Sequence, residues 1–102
     1  MMTDNNFFAF YIPALEKALA NDFLTCNFMV NAPDRWYPED KYYEMDLFEI
    51  ENAKKYPIFD MVALYFDAKA HNFDEIDGIN IGKYKEQLIK LIHQYKIQYN
   101  VS

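Results

Sequence analysis

The chain has 102 residues, the length of one domain (1–102), and 52% of them are hydrophobic, including nine Phe, nine Tyr and one Trp. Sixteen acids against ten Lys and Arg leave a net charge of −6, and Arg35 is the only arginine; direct nucleic-acid binding, which needs cations to displace counterions, is not expected. With only Gly78 and Gly82 there is no Gly-rich phosphate loop, and with only Cys26 there is no internal disulfide and no cysteine-built zinc site.

A single cysteine fits a reducing, cytoplasmic setting. The residues Met1 to Asn6 lack the basic head and small-residue cleavage site of a signal peptide. No apolar run approaches the roughly 20 residues that span a bilayer, so no membrane partner is expected.

Taken in chain order, the first predicted helix covers 12–30. Leu15, Leu19, Phe23, Cys26, Met29 and Val30 fall on one face at helical spacing, with Glu16, Lys17, Asn21 and Asn27 largely on the other. Pro13 suits the first turn. Leu24, Cys26, Phe28 and Val30 also alternate, so a strand near 24–30 is the alternative.

The second predicted helix covers 38–55. Pro38 opens it, Glu39 and Asp40 suit the positive end of its dipole, and Lys54 and Lys55 suit the other end. Tyr43, Leu47 and Ile50 share a face, while Tyr42, Met45 and Phe48 lie elsewhere around the axis. At least one of Tyr42 and Tyr43 is expected to pack inward. A strand near 43–50 is the alternative, because Tyr43, Met45 and Leu47 alternate with Glu44 and Asp46.

The third predicted helix covers 57–71, with Pro57 at its start and a thin polar stripe of Asp60, Asp67 and His71. A buried strand near 61–66 is its alternative. Asn72 to Gly78 reads as a turn on the Asp77-Gly78 signal. The last predicted helix covers 81–97. Ile81, Tyr84, Leu88, Leu91, Ile92 and Tyr95 form its apolar stripe, and Lys83, Glu86, Lys90 and Gln94 its wet face. The expected fold is therefore all-α, a compact bundle of about four helices; α+β with the three short strands is the alternative.

No catalytic motif stands out, and no catalytic residue, cofactor or metal ligand is assigned. Asp67 and His71 are four apart on one helical face, as an acid/base pair could be, but so is a local surface hydrogen bond. Cys26, on an apolar face, reads as core.

Charge is distributed unevenly. Residues 39–51 hold six acids and one lysine, whereas residues 79–102 hold four lysines and one acid. Solubility alone does not require that concentration; complementarity to a basic protein surface explains it. The residues expected at such an interface are Asp40, Glu44, Asp46, Glu49 and Glu51 for charge, with Trp36, Tyr37 and Tyr42 as anchors. Around a helix, Asp40, Glu44 and Glu51 cluster, Glu39 and Asp46 flank the Tyr43–Ile50 stripe, and Glu49 lies apart.

A small, acidic, aromatic-rich chain of this kind resembles toxin-neutralising immunity proteins and phage-encoded nuclease inhibitors. The likeness is one of composition and carries over no residue. The expected function is inhibition of a cognate toxin, a nuclease above all, by covering its basic active or substrate-binding site. Alternatives are an anti-restriction or anti-CRISPR DNA mimic and a small enzyme using Asp67 and His71.

Overall fold

The structure is a computed structural model that describes residues 2–20 and 39–101. Four α-helices carry the fold: α1 (Asp4–Ala20), α2 (Tyr42–Glu51), α3 (Pro57–Ala70) and α4 (Ile81–Gln98). A 3-10 turn, Glu39–Lys41, leads into α2, and a two-stranded hairpin, β1 (Glu75–Ile76) and β2 (Ile79–Asn80), joins α3 to α4. The all-α reading holds.

Helix α1 begins eight residues before the expected start at residue 12, and Pro13 lies inside it rather than at its N-terminus. Thr3 caps the helix: its Oγ1 accepts from the Asn6 backbone N–H at 3.1 Å, and its carbonyl accepts from Phe7 N–H at 2.9 Å. Proline at position 13 removes the bond that Ala9's carbonyl would accept. Ala9 and Pro13 are both exposed, so water can satisfy that carbonyl. The inward face is Phe7, Phe8, Tyr11, Ile12, Ala14, Leu15, Ala18 and Leu19. Phe23 to Val30, the rest of the expected stripe, lie outside the described residues, as does the alternative strand at 24–30.

Helix α2 is shorter than the expected 38–55. Asn52 ends it by donating both its backbone N–H (3.0 Å) and its side-chain amide (2.9 Å) to the carbonyl of Phe48. Lys54 and Lys55 therefore sit in the following turn, not in a last helical turn. Tyr56 is extended, as the residue before a proline prefers, and Pro57 opens α3. Segments 43–50 and 61–66 are helical, which removes the two strands proposed there. The wet edge of α3 is broader than expected, because Leu64 and Ala70 are exposed along with Asp60 and Asp67.

In the hairpin Glu75 pairs with Asn80 and Ile76 with Ile79. Asp77 (φ 51°) and Gly78 (φ 78°) both adopt positive φ, the two-residue turn that matches strand twist and favours Asp-Gly. Asn80 then caps α4, its side chain accepting from Gly82 N–H at 2.9 Å. The α4 stripe packs as expected: Tyr84, Leu88, Ile92 and Tyr95 are buried, Ile81 and Leu91 partly so.

Helix α4 packs on α3 and α1, α2 packs on α1, and the hairpin closes on α3 and α4. The core is largely aromatic. Phe8 alone contacts the rings of Phe7, Tyr11, Phe48, Tyr56, Phe59, Tyr95 and Tyr99, mixing stacked and edge-on geometries. Lys96 Nζ reaches the Glu16 carboxylate at 3.1 Å and pins α4 to α1. No helix among the described residues is long and apolar enough to cross a membrane.

Candidate protein-binding interface

Two side chains set the orientation of α2. Met45 and Phe48, three residues apart, point inward and are buried, and Phe48 stacks on Phe7 with ring centroids 4.2 Å apart. The opposite face must then meet solvent. That face is Tyr43, Leu47 and Ile50, 75%, 42% and 67% exposed. The three do share a face, as their spacing predicts, but it is a ridge on the outside of the molecule. Tyr42 is exposed as well, so neither tyrosine of the pair packs inward. The physical reason is competition between two apolar faces of one short helix, decided by the fit of Phe48 into the Phe7, Phe8 and Tyr56 rings.

Acids ring this ridge. Asp40, Glu44, Asp46 and Glu51 are exposed around it. Glu49 differs: it is half-buried beside Tyr11, close enough for its charge to add to the burial that pushes the Tyr11 hydroxyl well above its ordinary pKa. Its place is a shallow depression of about 290 Å³, shared with Tyr11, Ile50, Phe59 and Asp60, on the α3 side of the ridge. Trp36 and Tyr37, the remaining expected anchors, lie outside the described residues.

The other side of the ridge is a larger groove of about 560 Å³, lined by Met2, Asp4, Glu44, Leu47, Phe48, Glu51 and Asn52. Among the described residues, no Lys, Arg or His pairs with Glu44 or Glu51. Asp4 has partners: it accepts the hydroxyl of Tyr56, and Lys55 Nζ lies 3.8 Å away. Sequence reasoning missed Asp4 and Met2, because no local spacing links the start of α1 to α2. It also missed Asp60 as a neighbour of α2. Only packing brings Asp4 beside Glu44 and Glu51 in one groove, and Asp60 beside Glu49 in the other.

Asp67 and His71 do meet. His71 Nδ1 lies 2.8 Å from the Asp67 backbone carbonyl and 3.4 Å from its carboxylate. A carbonyl only accepts, so in this bond Nδ1 carries the proton. Both side chains are more than half exposed, at the C-terminal end of α3, where such a bond closes the last turn. His71 stacks on Phe73, and neither Asp67 nor His71 lines the grooves beside α2. His93 is exposed on α4. Among the described residues, no three His, Cys, Asp or Glu side chains stand together as a metal-binding group.

Comparison of the chain with protein-family models, with curated proteins and with solved structures gives no match.

Proposed function

We propose that this chain is a small, non-enzymatic inhibitor of the immunity type. It binds and neutralises a cognate toxin by covering a basic active or substrate-binding site, and a nuclease is the toxin class that such a site best describes. The observation that carries this reading is the exposed Tyr43–Leu47–Ile50 ridge ringed by Asp40, Glu44, Asp46 and Glu51. An apolar centre with a charged rim is the anatomy of a protein interface, where a few large side chains supply affinity and the rim supplies selectivity and speed of encounter.

The same arrangement disfavours the DNA-mimic alternative. A stand-in for DNA presents acids at phosphate-like spacing along an edge, whereas in α2 an apolar ridge separates one row of acids from the other. The Asp67–His71 pair, with both side chains more than half exposed, gives little support to the enzyme alternative.

The test is capture from the native cell with wild-type chain and with a Glu44→Lys/Glu51→Lys variant. The expected result is a basic nuclease, held and inhibited one-to-one by the wild type and released by the variant. Equal recovery of the partner on the charge-reversed variant at low salt, or a captured partner with no basic site, overturns the reading.

A further inference from the structure

The exposed face of α2 has the pattern of a coiled-coil seam. Tyr43, Leu47 and Ile50 are spaced four and then three residues apart, the d-a-d positions of a heptad. Glu44, Asp46 and Glu51 then fall at e, g and e, the positions that flank the seam and select its partner. All three flanking residues are acidic and exposed, and the seam residues are the exposed apolar ones. The inner positions, Met45 and Phe48, are taken by the core. The ridge also stands between two depressions, with Leu47 on the wall of one and Ile50 on the wall of the other. A facing helix has somewhere to seat its own side chains on both flanks of the ridge.

We infer that α2 docks an amphipathic helix of the partner, one with an apolar seam flanked by Lys or Arg. This rests on the protein-docking reading above and names the element that is recognised. Charge complementarity selects that occupant. A second copy of α2 would bring Glu44, Asp46 and Glu51 against their own like charges, which disfavours self-pairing. A uniformly cationic strand or tail would satisfy the rim but leave the ridge wet. A basic amphipathic helix meets both, in the helix-in-groove mode read as anchors at i, i+4 and i+7.

The test needs no toxin. Isotope-labelled protein is titrated with a synthetic peptide about three heptads long, with Leu at the seam and Lys at the flanking positions. A scrambled peptide of identical composition but no seam is the control. The seam peptide is expected to shift resonances of Tyr43, Leu47 and Ile50 and to bind at least about tenfold more tightly than the scramble. Leu47→Ala, at an exposed site where folding is retained, should weaken binding by about tenfold. Glu44→Gln/Glu51→Gln should weaken it and flatten its salt dependence. Equal binding of the scramble, shifts centred away from α2, or indifference to both variants overturns the inference. If the peptide docks but capture yields no basic toxin, the inhibitor reading fails alone. If a toxin is captured and its complex leaves α2 resonances unmoved, helix docking fails alone.

Discussion

Phe48 of α2 lies face to face with Phe7 of α1, centroids 4.2 Å apart and planes 18° from parallel. This contact determines which side of α2 is available to anything outside the molecule. If it is what orients the helix, the two faces differ sharply in energetic weight. Phe48→Ala should cost about 3–5 kcal/mol, the range for deleting a buried aromatic side chain. Tyr43→Ala or Ile50→Ala should cost no more than about 0.5 kcal/mol. Urea unfolding of the three variants decides the matter; a Tyr43→Ala cost as large as that of Phe48→Ala would mean that the ridge is core.

The same helix shows how far the sequence can be read. Helix α4 was legible from its pattern because Tyr84, Leu88, Ile92 and Tyr95 repeat on one face and Lys83, Glu86, Lys90 and Gln94 on the other. In α2 two apolar faces compete, Tyr43–Leu47–Ile50 and Met45–Phe48, and local spacing contains nothing that ranks them. The choice depends on rings supplied by residues 7, 8 and 56. In α1 the misjudged start came from treating Pro13 as a boundary. Phe7, Phe8, Tyr11, Ile12 and Leu15 already carry the helical repeat across it, and a proline on a wet face removes one solvent-facing bond without ending the helix. The acidic groove was legible only in half, because Glu44 and Glu51 are neighbours on one helix while Asp4 joins them through packing alone.

Tyrosine ionisation gives a test of the aromatic core. Tyr11, Tyr56, Tyr84 and Tyr95 all have hydroxyl pKa values raised, in each case first by burial; for Tyr56 the hydrogen bond to Asp4 adds to it, and for Tyr84 the nearby Asp77 charge does. An unfolded tyrosine ionises near pH 10. Above that pH the unfolded chain has lost protons that the folded chain still holds, so folding stability is complete below about pH 10 and declines as pH rises further. Absorbance titration should show these four tyrosines ionising only as circular dichroism reports unfolding. Ionisation of these four tyrosines near pH 10, with helicity intact, contradicts the packing.

The hairpin before α4 should be sensitive to a single methyl group. Gly78 has φ of 78° and nothing within 4 Å of where a Cβ would stand. Space is not the constraint, so Gly78→Ala should cost only its backbone term, about 1 kcal/mol or slightly more. Asn80→Ala, which removes the cap on α4, should cost about 1 kcal/mol by an independent route. Denaturant midpoints for both single variants and the double variant check this. The two effects act on adjacent turns that share β2, so a double variant less costly than the sum would indicate that the hairpin positions the cap.

The acidic collar has a consequence for the protein on its own. A ridge with Tyr43 and Ile50 more than half exposed is a surface that tends to associate. Like charges at Glu44, Asp46 and Glu51 oppose its pairing with a second copy, and repulsion between exposed charges weakens beyond a Debye length of about 8 Å at physiological salt. Neutralising the collar with Glu44→Gln/Asp46→Asn/Glu51→Gln should therefore increase self-association, and wild type in high salt should move the same way by a smaller amount. Sedimentation across a concentration series measures both. Adding Leu47→Ala to the neutralised variant should return it toward the wild-type state, because the attraction comes from the ridge and the charges only restrain it. If the neutralised variant associates no more than the wild type, the acids are not what keeps this face open for a partner.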